Sequence, residues 1–216
     1  FTKAGRTFTG DDLGNLKPNQ KLLVIGGATL VGSFAVQLAK NVGAIVACTA
    51  SAKNNAQGVA KIEACKALGA DVVIDYGQDE WSDVLAGQEY DLVFDTIGKQ
   101  EDWANASKVL KKGGDFISVA NFAADAAANE SNVFKNFLLK SDGGDLRDLV
   151  SMVKAGKLTV PVDSVVPFAD VPAALAKSLA QANAGGDLRA LTAAQLDLWR
   201  GSPVEKYLTR ETSSAF

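Results

Sequence analysis

Histidine is absent from all 216 residues. That absence removes the commonest general base, proton shuttle and metal ligand, so a His-containing catalytic triad or zinc site cannot be built from this chain alone. Only two cysteines occur, Cys48 and Cys65, without metal-like spacing. Each sits in a segment that reads as buried strand or helix face, which points to a reducing compartment rather than a disulfide scaffold. No apolar run reaches the roughly 18 to 20 residues that a spanning helix requires, and no signal-peptide pattern reads at the start, so no membrane span is expected. Nor is there a basic block. Twenty-two basic against 25 acidic residues leave a formal net charge of −3, which gives no support to nucleic-acid binding. The chain opens on Phe1 rather than methionine, as expected of a processed, trimmed or partly observed product. Cytoplasm, or an organelle stroma or matrix after removal of a targeting peptide, are the compartments that fit.

What is present is regular. With 47% hydrophobic residues the chain can bury a substantial core, enough for one domain with appendages. Lys17-Pro18-Asn19-Gln20 forms a turn that launches a short apolar run, Leu22 to Ile25, of the kind a doubly covered parallel strand shows. Apolar residues then recur at helical spacing from Val31 to Val42. The pair repeats: strands over 44–51, 71–76, 90–98 and 115–121, and helices over 59–70, 79–87 and 101–114. Strand-helix alternation of this sort predicts an α/β fold of Rossmann type, a parallel sheet doubly wound with helices on both faces. Further on, 122–133 reads as loop, 136–141 as a strand, 145–158 as a helix near Gly156, and 167–186 as containing one more helix stopped by a glycine pair. From Asp187 the pattern breaks down into a mixed polar and aromatic tail.

The stretch KLLVIGGATLVGSFAVQLAK, residues 21 to 40, is a strand, a glycine turn and a helix start. In a dinucleotide-binding turn one glycine permits the bend, a second admits a pyrophosphate to the backbone, and a third lets helix pack on strand. Gly26 and Gly32 suit the first and third roles, with Gly27 and Val31 completing the turn. Thr29 stands at the second, where its side chain takes space while its hydroxyl offers a donor, and Leu30 adds bulk beside it. The outer glycines also serve a strand-turn-helix connection that binds nothing, so both readings stand. After the second strand, CTASAKNNAQGVAK presents Thr49, Ser51, Lys53, Asn54 and Asn55, and no carboxylate before Glu63. A neutral strand end with cations nearby favours NADP(H) over NAD.

Five phrases in order, LKPNQKLLVIGGATLVGSFAVQLAK, KALGADVVIDY, YDLVFDTIG, LKKGGDFISV and VKAGKLTVPVDSVVPFADVPAAL, resemble the medium-chain dehydrogenase/reductase superfamily. Within it they resemble the zinc-independent quinone oxidoreductase and alkenal/enone reductase branch. The resemblance covers about residues 16 to 186 and implies the family's nucleotide-binding half. It divides the chain into 1–20 as an inter-domain remnant, 21–186 as the nucleotide-binding domain and 187–216 as a divergent tail. It also implies a β-rich substrate domain preceding this half, which is absent; Ala4-Gly5-Arg6-Thr7 resembles the inter-domain helix. Gly185 to Leu191 keeps only a trace of the family's returning strand.

By that resemblance, Tyr76 and a lysine after the second strand hold the cofactor's 2′-phosphate. Lys53 lies nearer the strand and Lys61 aligns better with the following helix, and both also read as ordinary surface lysines. Thr96 and Asn121 end the fourth and fifth strands, where sheet ligands lie, and are placed to hydrogen-bond a nicotinamide carboxamide or to serve as loop residues. No catalytic acid or base is identified, since hydride transfer is carried by the cofactor.

Trp81 and Trp103 read as packing residues on amphipathic helices. Trp199, with Tyr207 and Leu208, marks a tail that either docks on a protein partner or packs back over the exposed face of the domain. Two readings result. One is an NADPH-dependent reductase of a quinone or enone, represented by its cofactor domain. The other is a catalytically silent accessory or scaffold subunit that docks through its exposed face and residues 187–216.

Overall fold

A computed structural model describes residues 2–3, 6–7, 14–53, 60–122, 129–136, 141–162 and 165–184. Residues Phe1–Asp163 form one compact unit and Ser164–Phe216 a second. The first begins with a small antiparallel pair, β1 (Thr2–Lys3) and β2 (Arg6–Thr7). This corrects the expectation of a helix at Arg6 and Thr7, which instead pair as strand with Lys3 and Thr2; Ala4 and Gly5 lie outside the described residues.

Six parallel strands follow: β3 (Lys21–Ile25), β4 (Ile45–Ala50), β5 (Val72–Asp75), β6 (Tyr90–Asp95), β7 (Leu110–Ser118) and β8 (Val133–Asn136). They are ordered β5-β4-β3-β6-β7-β8. The chain therefore winds outward from β3 through β4 to β5, returns across to β6 on the other side of β3, and winds outward again. That reversal opens a crevice at the carboxyl ends of β3 and β6, where doubly wound sheets hold their ligands.

Both faces of the sheet are covered. Leu22 and Val24 of β3, with Val46 and Cys48 of β4, pack beneath α1 (Leu30–Val42) and α2 (Lys61–Ala67). The alternate residues, Leu23, Ile25, Ala47 and Val93, pack on the other face with Trp81 of α3 (Trp81–Val84) and Trp103 of α4 (Gln100–Asn105). Period-two alternation in doubly covered strands thus sends successive residues into two separate cores. Trp81 and Trp103 are both core residues, as expected. Trp103 meets Phe116 and Phe134 edge-on at centroid distances of 5.5 and 5.3 Å, and those two phenylalanines stack at 5.7 Å.

Three boundaries differ from expectation. The helix expected over 101–114 stops at Asn105 and tightens into a 3-10 turn at Ala106–Lys108. Leu110 already pairs with Tyr90, so residues 110–114 belong to β7, and Gly113, at φ +73°, adopts a conformation no helix permits. The sixth strand lies at Val133–Asn136 rather than over 136–141, of which 137–140 fall outside the described residues. The helix expected over 145–158 is α5, Gly143–Lys154, started by Asp142, whose carboxylate accepts from the amides of Gly144 and Asp145 at 2.6 and 3.1 Å. In the second unit a 3-10 turn at Phe168–Asp170 leads into α6 (Val171–Ala184). Asn54, Asn55 and the tail with Trp199, Tyr207 and Leu208 lie outside the described residues.

Candidate functional site

The glycine turn after β3 is shaped by backbone contact. Gly26 holds φ +86°, and a Cβ there would stand 2.5 Å from the Thr96 hydroxyl. At Gly27 a Cβ would meet Cys48 Sγ at 2.6 Å, and at Gly32 it would lie 2.1 Å from the Gly26 carbonyl oxygen. Gly32 therefore plays the helix-to-strand packing role, letting α1 start directly against the end of β3. The amides of Gly26 and Gly27 are tied to Thr49 of β4, through its hydroxyl at 2.9 Å and its carbonyl at 2.9 Å.

Thr29 caps α1. Its hydroxyl oxygen accepts from the Gly32 amide at 2.9 Å and lies 3.0 Å from the Thr96 hydroxyl, which donates to the Ile25 carbonyl at 2.8 Å. Each hydroxyl has one proton, so the direction is fixed: Gly32 N–H to Thr29, Thr29 O–H to Thr96, Thr96 O–H to Ile25. Thr29's proton is thereby turned toward β6. Leu30 keeps 60% of its surface exposed and Val31 49%, so neither side chain is packed into the turn. The amides of Leu30 and Val31, first and second in the helix, find no acceptor among the described residues. Amides at a helix N-terminus are donors of the kind that anions accept from.

At the carboxyl ends of β4 and β5, the Lys61 amide donates to the Lys53 carbonyl at 3.1 Å, which sets the two lysine backbones side by side; residues 54–59 lie outside the described residues. Tyr76, half-exposed, is tied to the same place by its amide on the Ala50 carbonyl at 3.1 Å. Ser51 is buried, and its hydroxyl has no hydrogen-bond partner among the described residues. One carboxylate escaped the sequence reading: Asp75, ending β5, accepts from the amides of Ala52 and Gly77 at 3.3 and 3.0 Å. It is spent on backbone, yet it brings a negative charge to the neighbourhood of Ser51.

A second missed residue organises the loops after β6 and β7. Asp95 is fully buried; its carboxylate accepts from the amides of Ile97 and Gly98 at 2.9 and 3.0 Å and from the Ser118 hydroxyl at 2.7 Å. Ser118 in turn accepts from the amides of Ala120 and Asn121 at 3.1 and 2.8 Å. Asn121 is thus held by its backbone, buried, with its side-chain oxygen 3.5 Å from the Gln100 amide group. Its only sequence signal was the Asp-Thr-Ile-Gly phrase, read for Thr96 and not for the aspartate.

Among the described residues no cluster of three or more Cys, Asp or Glu side chains could hold a metal ion, and no helix is long and apolar enough to cross a membrane. Asp102 of α4 is buried, accepts from the Trp81 indole N–H at 3.2 Å and leaves its other oxygen without a partner among the described residues. Burial, and next the charge of Asp95, push its carboxyl up to about 6.

Residues 68–186 match the family described as zinc-binding dehydrogenase. The tomato (Solanum lycopersicum) 2-methylene-furan-3-one reductase is 31% identical over 74% of this chain and 37% of its own length. A chloroplastic NADPH-dependent alkenal/one oxidoreductase of Arabidopsis thaliana is 34% identical over 69% of this chain and 34% of its own. The chain thus spans little more than a third of these relatives. Among solved structures, the quinone oxidoreductase of Coxiella burnetii superposes with a TM-score of 0.65 at 25% identity, covering 78% of this chain and 51% of that one. The quinone oxidoreductase of Escherichia coli, solved with NADPH, gives 0.55 at 23% identity over 68% and 49%, a likeness of fold. With the strand order, the turn and these matches together, the chain belongs to the medium-chain dehydrogenase/reductase superfamily, in its quinone and enone reductase-like branch.

Proposed function

We propose that this chain is the NADP(H)-binding domain of an oxidoreductase that reduces an enone or quinone. The observation that carries the reading is the neutral carboxyl end of β4. There lie a buried Ser51 hydroxyl without a partner among the described residues, the backbones of Lys53 and Lys61 joined by one hydrogen bond, and Tyr76, while the nearby Asp75 carboxylate is engaged by the amides of Ala52 and Gly77. A 2′-phosphate would find cations and a hydroxyl donor where an NAD-selective site keeps an acid.

The rest of the cofactor fits the same edge. The glycines let the turn pack closely on β4, β6 and α1, and the amides of Leu30 and Val31 would hold the pyrophosphate. Thr96, whose proton is committed to Ile25, keeps a lone pair for a carboxamide N–H, and Asn121 stands at the neighbouring strand end. When bound, the cofactor supplies the hydride; the chain's own residues orient it and hold it at the crevice between β3 and β6. Reduction of an enone or quinone comes from the relatives' named activities, and the surrounding substrate pocket is not supplied by these residues.

Titration with NADPH and NADH, followed by cofactor fluorescence and thermal unfolding, tests the reading, because a ligand that binds the folded state raises apparent stability. NADPH should stabilise the chain and NADH should do so far less. No stabilisation by millimolar NADPH, or equal stabilisation by both, refutes it.

A further inference from the structure

Cys48 of β4 and Cys65 of α2 are the only sulfhydryls in the sequence, and both are fully buried in the same core beneath α1. They come from elements on different layers, yet they converge on one point. From the position a Gly27 Cβ would take, Cys48 Sγ is 2.6 Å away and Cys65 Sγ 3.5 Å. Gly27 lacks that atom, so the glycine turn rests directly on Cys48 sulfur, with Cys65 sulfur immediately behind.

We propose that Cys48 and Cys65 form an oxidisable dithiol, a site of reversible disulfide formation under the glycine turn, with hydrogen peroxide or an organic hydroperoxide as oxidant. Both sulfurs lie within 3.5 Å of the one point beneath Gly27. The neighbouring Cys65, with burial, pushes the Cys48 thiol up, and the neighbouring Cys48 pulls Cys65 down. Cys65, carried by the short helix α2 rather than by the central sheet, is the sulfur that local opening exposes to peroxide and so the attacking one. Its thiolate displaces hydroxide from the peroxide and becomes a sulfenic acid. Cys48 sulfur then attacks Cys65 sulfur, the S–O bond breaks and a second water leaves with the Cys48 proton. Two thiols and one peroxide give one disulfide and two waters.

Access is provided by α2. It is seven residues long, its N-cap residue Ala60 offers no side-chain hydrogen bond, and among the described residues the backbone bond from Lys61 to Lys53 fastens its start. A short uncapped helix opens locally at far lower cost than the sheet below it. In a disulfide the two sulfurs stand about 2.05 Å apart, much closer than two unbonded thiols in contact. Closing that gap moves the surface on which Gly27 sits, so the oxidation state is read at the turn.

The test treats the chain with hydrogen peroxide, quenches, unfolds it and alkylates free thiols before mass spectrometry, with Cys48→Ala and Cys65→Ala in parallel. Expected is loss of two hydrogens with both thiols protected, reversal by dithiothreitol, and no such species in either variant. Amide resonances of Gly26 and Gly27 should shift between reduced and oxidised chain while those of α5 do not. Both thiols remaining free to alkylate, or addition of oxygen at one cysteine with the other still free, overturns the proposal. A disulfide that leaves the Gly26 and Gly27 resonances in place overturns its coupling to the turn. None of these readouts requires cofactor, so failure here leaves the NADP(H) reading intact.

Discussion

Replacing Asp102 by asparagine should make the chain more stable at neutral pH, though it removes a charged group that accepts a hydrogen bond. Asp102 has an ordinary carboxyl value of 3.8 when exposed and about 6 when folded, because burial and then the Asp95 charge disfavour its ionised form. Below the lower value both states hold the proton and no penalty exists. Between the two, the folded state binds a proton that the unfolded state has released, so stability falls as pH rises. Above the higher value the cost is complete, about 3 kcal/mol at 1.36 kcal/mol per unit. From about pH 5 to about pH 8 the wild type should lose about 1.4 kcal/mol through this group. Asparagine keeps the oxygen that accepts from the Trp81 N–H at 3.2 Å and carries no charge, so that part of the slope should vanish. Other shifted carboxyls do not interfere. At Asp71 burial is outweighed by Lys40 and the Val46 amide, and at Asp91 by Lys111 and the Lys21 amide, so both titrate below the ordinary carboxylate range. Urea unfolding across this range, followed by tryptophan fluorescence, measures the difference. Parallel stability-pH curves for wild type and Asp102→Asn would refute the assignment.

Gly32→Ala drives a methyl group to 2.1 Å from the Gly26 carbonyl and should cost about 3 kcal/mol or more, read as a lowered midpoint in thermal or urea unfolding. Thr29→Ala removes the α1 cap and should cost about 1 kcal/mol. A double-mutant cycle with Thr96→Val should show a coupling of at least about 0.5 kcal/mol, and strict additivity would contradict the hydroxyl relay. Ser51→Asp places an acid where the 2′-phosphate is expected and should weaken NADPH by about tenfold or more while sparing NADH, measured by titration.

Much of the sheet was legible because its signals are local. Continuous apolar runs such as Leu22 to Ile25 and the 3.6-residue period after Val31 need no knowledge of what they pack against. What failed was decided by pairing across long separations. Leu110 to Gly114 carry helix-compatible lysines and a leucine, and become strand because Tyr90 and the carboxyl half of β7 lie alongside. The strand expected over 136–141 lies earlier, at Val133 to Asn136, because Asp115 to Ser118 stand beside those residues as a template. At the site, the turn was recognisable, but its openness depends on where Leu30 and Val31 point, which no spacing reveals. The sequence leaves it undecided whether Thr29 and Leu30 fill the turn, and in the structure Leu30 stands exposed while Thr29 caps α1. Asp95 reads as an ordinary strand-end acid, and only three converging donors identify it as the anchor of two loops.

The bond between the Lys61 amide and the Lys53 carbonyl has a consequence for how this site tolerates change. A bond between two backbones does not depend on the side chains they carry. Lys53 and Lys61 can therefore each be exchanged while the end of β4 and the start of α2 stay joined, so the charge at this edge can change without loss of the scaffold that carries it.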